Sequence, residues 1–547
     1  MSNNYEDFRV YGKEMVDYLC DYIQTLESRL VTPTIEPGYL VPLLDDKMPE
    51  EGESFLKVMN DLEKKIMPGV LHWVHPNFYA YYGAGNSFPS VLADMFGNVT
   101  GLNGFSWASC PVVTELEKIM LDWYAKSLAL PDFFLTKGSN PNSKGGGSIQ
   151  GSASDAVFAA MCAAKCRTIK KLKGENEEIH DSVYLPMLVC YASREAHSCV
   201  EKAAKMNLVK FHAIDVDVHD SMRGDALEHM IERDVAKGLY PFMVIATSGT
   251  TSQAAFDNLA EIGAVCQKYP SMWFHIDGAY GGNSFILPER RYLMNGIELA
   301  DSIDVNPNKL LLVTYDCTCL WVRNVLTFSA AFAIDPLYLQ HQHESTVVDL
   351  RHFGVPLSRR FRALKLYFTF RMFGLKRLQE YVRRVIHVGE HFEKLVRTDK
   401  RFEVRNDVML GLVCFRLFQS DEVNQELLAR INVSAKIHLT PSMVKGMYVI
   451  RLVALQENCS EEQVEHAWKV IQETANELLT GYLPIPLLGQ EDSQRYAYTR
   501  IVTNDIYQRQ PAIQKLTDEA TPIVIMEAEM TPQCPYHSDY GLLRDEH

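Results

Sequence analysis

Three patterns in this 547-residue sequence predict an α/β fold built on a large, mostly parallel sheet, with a helical segment before it and a smaller α+β domain after it. An amphipathic helical period opens the chain. Apolar runs alternate with helical stretches from about Gly146 to Arg323, and long amphipathic helices with short strands take over after about Phe361. Apolar runs that alternate with helices imply parallel strands covered on both faces, and ligands in such sheets bind beyond the carboxyl ends of the strands.

Between Tyr5 and Leu30, Phe8, Tyr11, Met15, Tyr18, Leu19 and Tyr22 recur at three- and four-residue intervals. They make one helix face that a partner surface must cover. "TPTIEPGYLVPLL" then crosses in extended form, because its prolines interrupt helix, before a helical stretch at Glu53 to Lys65. In the alternating region a helix follows Ser154, and strands are expected at "MLVCYAS", Phe242 to Thr247, "MWFHID" and the long run "LLLVTYDCTCLWV". Beyond Phe361 come helices over Arg362 to Phe373 and Leu375 to Lys400, strands in "LGLVCFRL" and "MYVIRLVAL", and a closing helix at Glu461 to Leu479. This divides the chain into a helical dimerisation segment (1–85), a large domain (86–360), a small α+β domain (361–480) and a tail (481–547). The tail is polar, with scattered prolines and no sustained period, and reads as disordered.

The formal net charge of −15 disfavours a nucleic acid or an anionic membrane as partner, since both repel it at long range, and favours a small molecule. The opening residues do not read as a signal peptide, and no run of eighteen apolar residues is present to span a membrane. Twelve cysteines are ordinary usage for this length, and the pairs Cys162/Cys166 and Cys317/Cys319 lack companion ligands for a metal. They read as reduced thiols of a cytoplasmic protein.

Three features of the alternating region bear on chemistry. "GGGSIQGSASDA", Gly145 to Ala156, is a Gly- and Ser-rich loop opening a helix; it is either a surface turn or an anion seat made of free N–H groups and the helix dipole. Asp277 closes the apolar strand "MWFHID", where a carboxylate is either a cap or the partner of a buried cation. Lys309 follows Asn-Pro-Asn and stands directly ahead of Leu310 to Val313, at the mouth of a strand-like run. A lysine there is a snorkelling surface residue, or its charge is used, because a stranded buried ammonium costs several kcal/mol. Taken together, an anion seat, a strand-end carboxylate and an amine meet what pyridoxal 5'-phosphate requires: a phosphate site, a partner for the pyridine nitrogen and a Schiff-base lysine.

Many motifs agree in order and spacing with one family. "YGKEMVDYL", "EPGYL", "IMPGVLHW", "GFSWASCP", "IQGSASDA", "AHSCVEKA", "SGTTSQAAFDNL", "HIDGAYGG", "NPNK", "PLSRRFR" and "LGLVCFRL" resemble the animal aromatic-L-amino-acid decarboxylases, which are fold-type I pyridoxal-phosphate enzymes, over about residues 5 to 480. The resemblance implies a homodimer with a shared active site and makes 86–360 the cofactor-binding domain. It makes Lys309 the Schiff-base lysine and Asp277 the partner of the pyridine nitrogen. Ala153 and Ser154 would seat the phosphate with Asn306 and Asn308 assisting, His197 would stack on the ring, Ala279 would pack on its other face, and Thr251 would lie close to cofactor and substrate. The family's loop tyrosine, which returns a proton to Cα after carbon dioxide leaves, corresponds to Tyr338. Asn308 and Leu310 depart from the His and Trp usual near dopa decarboxylase, and Arg194-Glu195 from the usual Asp-Gln.

Relatives that make aldehydes replace either that tyrosine or the stacked histidine, and this chain keeps both, so simple decarboxylation is expected. The resemblance implies an aromatic slot from Trp73, Tyr81, Tyr82, Ala84 and Phe105, partly supplied by a second subunit, with Ser358 where indole- and dopa-accepting members tend to carry glycine. "AGNSFPS" and "NPNK" resemble the invertebrate tyrosine decarboxylases most, so L-tyrosine to tyramine is the expected reaction. Dopa, 5-hydroxytryptophan and histidine remain alternatives; an aromatic aldehyde synthase or a non-catalytic member of the family is weighed below them.

Overall fold

The computed structural model describes residues 5–83, 85–176, 178–343 and 347–481. Ala84 and the tail over 482–547 lie outside the described residues.

The chain opens with α1 (Tyr5–Gln24), α2 (Phe55–Asp61), α3 (Phe88–Thr100) and α4 (Pro111–Leu128). α1 stops at Gln24 rather than Leu30, because Leu26–Ser28 tighten into a 3-10 turn. None of its residues is buried, and Tyr5, Phe8, Tyr11 and Leu19 are exposed.

The central layer runs β1 (Gly146–Gln150), α5 (Ala153–Lys173), β2 (Leu188–Ser193), α6 (Cys199–Met206), β3 (Lys210–Ile214), α7 (Gly224–Val235), β4 (Tyr240–Thr247), α8 (Leu259–Lys268), β5 (Trp273–Asp277), β6 (Ser302–Val305), α9 (Pro307–Leu310), β7 (Thr318–Val322) and α10 (Val325–Ser329). The seven strands are ordered β1-β7-β6-β5-β4-β2-β3. β6, β5, β4, β2 and β3 pair in parallel; β7 and β1 add antiparallel at one edge. β2, β5, β6 and β7 are buried along their whole length, as strands of a sheet covered on both faces should be. α5 starts where the Ser152 hydroxyl accepts from the Asp155 N–H and packs across the sheet with Ala156, Val157 and Ala160 buried.

Two sequence expectations need correction. The run from Leu310 is not one long strand: Pro307–Leu310 form a single helical turn, Leu311 to Cys317 make an irregular connection buried at Leu311 to Val313 and Cys317 with Tyr315 exposed, and only Thr318–Val322 pair. Pro307 forbids helix to Asn306, which is extended, but is itself favoured as the first helical residue. Lys309 therefore sits just beyond the carboxyl end of β6 and not at the mouth of a following strand. Likewise Gly146–Gln150, read as loop, is the edge strand β1, and the helix-opening loop shrinks to Gly151 and Ser152.

The remaining elements are α11 (Ala363–Thr398), β8 (Phe402–Val404), β9 (Val413–Leu417), α12 (Asp421–Val433), β10 (Thr440–Val444), β11 (Met447–Leu452) and α13 (Glu461–Thr480). α11 is two helices broken at Gly374, whose φ of 71° interrupts helical geometry between the two periods seen in the sequence. The four strands form an antiparallel sheet, β10-β11-β9-β8, on which Phe402 and Phe415 meet Phe392 of α11 and Trp468 of α13 edge to face. A capping box between Ser460 and Gln463 fixes the start of α13. The segment before α3 is pinned to this sheet: the Tyr79 N–H donates to His438 O at 3.0 Å and the Val453 N–H to Tyr79 O at 3.2 Å. Those bonds deliver Tyr82 toward the end of the large sheet. Among the described residues no helix is long and apolar enough to cross a membrane.

Candidate active site

The parallel strands end in loops that bring Asp277, His197, Thr251 and Lys309 to one region. Asp277 closes β5; its Oδ1 accepts from the Ala279 N–H at 3.0 Å, and the Ala279 carbonyl accepts from the Asn306 N–H at 3.1 Å. The Gly278 N–H reaches the Asp304 carbonyl at 2.9 Å, a close approach that leaves no room for a Cβ, which would lie 2.9 Å from that oxygen. The turns after β5 and β6 are thereby clamped together. Asn308 is buried, and its carbonyl accepts from the Gly85 N–H at 2.8 Å.

Among the described residues, the Lys309 Nζ has no hydrogen bond or ion pair, and it lies 5.7 Å from the centre of the Tyr82 ring. Burial pulls its pKa below the ordinary lysine value, opposed by the charges of Asp277 and Asp304. A lysine so placed holds a larger share of neutral, nucleophilic amine than one in water. The His197 Nδ1 accepts from the Cys199 N–H at 3.1 Å, so the neutral ring carries its proton on Nε2. Burial lowers its pKa, with Asp277 opposing and Lys309 reinforcing.

Tyr82 organises the other side. Its ring stacks on Tyr280 at 3.9 Å, and its hydroxyl donates to the carbonyls of Thr250 at 3.1 Å and Thr251 at 3.3 Å. The Arg451 guanidinium of β11 lies 5.2 Å from the same ring. Arg451 is buried, yet among the described residues its Nε and Nη2 have no hydrogen-bond partner. A desolvated cation with spare N–H groups is poised for an anion such as a carboxylate. The N–H groups of Ala153 and Ser154 at the start of α5 are also unpaired among the described residues, Ser154 is exposed, and the buried Asn306 Oδ1 has no partner.

The other expected residues stand apart within this chain. Trp73 and Tyr81 stack on each other at 5.2 Å, and Tyr81 is 47% exposed. Half-buried Phe105 uses its carbonyl to accept from the Arg351 N–H at 2.9 Å. Exposed Ser358 takes a 3.1 Å hydrogen bond from Asn103 Nδ2, in an open cleft of about 330 Å³ between the end of α3 and residues 358–362. Tyr338 lies in the turn Leu337–Leu339 and is 79% exposed. Among the described residues no hydrogen bond or ring contact joins these five side chains to Lys309, Asp277 or His197. Arg451, Asp304 and His275 are polar groups of this region that sequence reading passed over. The signal for Arg451 was present: a lone arginine inside the apolar run "MYVIRLVAL" raises the same question as Lys309.

Residues 37–418 match the pyridoxal-dependent decarboxylase conserved domain. The aromatic-L-amino-acid decarboxylase of Mus musculus is 46% identical over 475 residues, 86% of this chain and 98% of its own. That of Drosophila melanogaster is 43% identical over 472 residues, 86% of this chain and 92% of its own. Among solved structures, Oryza sativa TDC with PLP and tryptamine superposes with a TM-score of 0.83 at 33% identity, covering 87% of this chain and 99% of the other. The Rhodiola rosea 4-hydroxyphenylacetaldehyde synthase superposes at 0.80, also at 33% identity, covering 87% and 99%.

Proposed function

The chain belongs to the pyridoxal-dependent decarboxylase family, and on that premise we propose that it removes the carboxyl group of an aromatic L-amino acid, with L-tyrosine as preferred substrate and tyramine as product. It is a carboxy-lyase, and its cofactor is pyridoxal phosphate. The residues fit that cofactor: a buried amine without a partner, a strand-end carboxylate, unpaired N–H groups at a helix start and the orphaned Asn306 Oδ1.

The observation that carries the reading is Lys309, unpaired between the carboxylate of Asp277 and the Tyr82–Arg451 pair. Pyridoxal phosphate supplies an electron sink for the pair released when the Cα–carboxyl bond breaks. Lys309 is the amine that holds the cofactor, and Asp277 keeps the ring nitrogen's proton. Ala153, Ser154, Asn306 and Asn308 serve the phosphate, while His197 and Ala279 flank the ring beside Thr251. Arg451 faces the substrate carboxylate, and Tyr338 returns a proton to Cα. Retention of both His197 and Tyr338 favours amine over aldehyde as product.

For the ring of the substrate, Ser358 and Asn103 offer polar side chains suited to a phenol, and Trp73, Tyr81 and Phe105 offer flat apolar surface. Offering tyrosine, dopa, 5-hydroxytryptophan and histidine to purified enzyme, with carbon dioxide and amine both measured, tests the assignment. Tyrosine should give the highest kcat/KM. Ser358→Gly should shift preference toward dopa or the indole by about 1 to 3 kcal/mol. Preference for another substrate rejects tyrosine, and an unmoved ratio removes Ser358 from the slot.

Two copies sharing the site account for the residues that stand apart from Lys309 and for the apolar faces of α1 and of α3, where Phe88, Leu92, Phe96 and Val99 are exposed. The protein should sediment as a homodimer, and deletion of residues 1 to 70 should leave it aggregated or inactive; a fully active truncated monomer contradicts this. Its cysteines, free among the described residues, suit the cytoplasm, which cell fractionation checks.

A further inference from the structure

Behind Asp277 the sheet buries a second carboxylate. Asp304 of β6 is the register partner of Asp277 on β5, so in this parallel pair both side chains lie on one face. His275 and Ser302 are likewise register partners, two residues earlier on the same face. All four residues are buried. The Ser302 Oγ accepts from the Trp273 Nε1–H at 2.8 Å and lies 2.8 Å from the His275 Nδ1; the His275 Nε2 lies 3.1 Å from the Asp304 Oδ1. Indole nitrogen can only donate, which leaves the Ser302 hydroxyl hydrogen available to His275 Nδ1 and the Nε2–H directed at Asp304. The other Asp304 oxygen, Oδ2, is buried and has no hydrogen bond among the described residues.

Two carboxylates on adjoining strands with one unsatisfied oxygen cannot both hold a full charge cheaply. Burial first, and then the charge of Asp277, push Asp304 up to about 7, against the opposing pull of His275 and Lys309. Cys199 at the start of α6 and Cys319 on β7 also interact electrostatically with Asp304. α5, which crosses these strands, is buried there along apolar residues.

We propose that Asp304, held through the Ser302–His275 chain, is a positioning residue that carries one exchangeable proton behind Asp277 and so sets how firmly Asp277 holds the proton of the cofactor's ring nitrogen. This deepens the proposed function and rests on its placement of Asp277 at that nitrogen. With the proton present, Asp304 is neutral and Asp277 acts alone. Once the proton leaves to solvent, a second negative charge stands behind Asp277 and the ring nitrogen is held more strongly as its protonated form. Retention of the cofactor then strengthens with rising pH in a way that depends on Asp304.

Asp304→Asn keeps the shape and the hydrogen bond from His275 and removes the titration. In the full-length apo-protein, a carboxyl whose folded pKa lies above its unfolded one costs stability as pH rises from the unfolded to the folded value. The melting temperature of the variant should therefore climb relative to wild type between about pH 4 and about pH 7 and level off above that. Reconstituted with pyridoxal phosphate, the variant should show a dissociation constant equal to wild type at the acid end and about tenfold weaker at the alkaline end, the equivalent of one pKa unit at the ring nitrogen. A dissociation-constant ratio that stays flat with pH overturns the coupling, and a flat difference in melting temperature overturns the proton site. If the variant does not fold, the infrared carbonyl band of a buried protonated carboxyl in wild-type apo-protein must fade over the same pH range; its absence at low pH also overturns the inference. NMR of nitrogen-labelled cofactor separates the two levels. A ring-nitrogen signal unmoved by Asp277→Asn defeats the placement of Asp277 itself, whereas one that moves with Asp277→Asn but not with Asp304→Asn defeats only the role of Asp304.

Discussion

Replacing Lys309 by alanine should reduce decarboxylation by at least about a thousandfold, roughly 4 kcal/mol in barrier, and leave no cofactor covalently held. The argument starts from cost. Burial works against the ammonium of Lys309, Asp277 and Asp304 only partly offset it, and no hydrogen bond satisfies it among the described residues. A snorkelling surface lysine has none of these features, and its removal would change little. Borohydride reduction followed by mass spectrometry should fix the cofactor's mass on wild type and not on the variant. Stability should move the opposite way. For a lysine whose folded pKa lies below its unfolded one, the folded state binds the proton less well, so apo-protein gains stability as pH rises toward the unfolded value. Lys309→Met, which keeps the bulk and drops the charge, should accordingly melt higher than wild-type apo-protein at neutral pH. Wild-type turnover in Lys309→Ala would remove the amine from the chemistry and the cofactor assignment with it.

The same desolvation logic decided how much of the architecture could be read in advance. β2, β4 and β5 announced themselves because strands buried on both faces are mostly apolar, and the break at Gly374 separated two helical periods visible in the sequence. Leu310 to Val313 were misread for the same reason: they are fully buried, and apolarity reports burial rather than strand geometry. β1 was missed in the other direction, since Gly146 and Gly147 look like a loop. A side chain at Gly147 would collide with the Leu320 carbonyl of the neighbouring strand β7, so the glycine is there for close approach. Asp277 and Lys309 were legible as charges at the ends of apolar runs. Arg451 carried the same local signal and was passed over, whereas Asp304 was not legible, because nothing local says that its neighbour across the sheet is another carboxylate. The aromatic residues Trp73 and Tyr81 were legible as a cluster, but sequence cannot say which subunit's site a cluster faces.

Tyr338→Phe should change the product rather than simply slow the reaction. Loss of carbon dioxide leaves an electron pair at Cα, and amine forms only when a proton arrives there. Tyr338 is the residue assigned to deliver it, from an exposed turn whose aromatic bulk phenylalanine preserves while removing the hydroxyl. A positioned general acid contributes about a hundredfold to ten-thousandfold, so amine release should fall by about a hundredfold or more while carbon dioxide still appears. The electron pair then has another outlet, dissolved oxygen. Oxygen takes two electrons and becomes hydrogen peroxide, water hydrolyses the resulting carbon–nitrogen double bond, and each substrate consumes one oxygen and one water to give carbon dioxide, ammonia, peroxide and the aldehyde. His197 stays in place, with its proton on Nε2, and should show no change in cofactor binding. Assays for peroxide and aldehyde beside amine and carbon dioxide, with and without oxygen, decide the matter. Peroxide equal to the shortfall in amine places the proton donor at Tyr338. Unchanged amine with no aldehyde takes Tyr338 out of the mechanism and leaves His197 or water to protonate Cα.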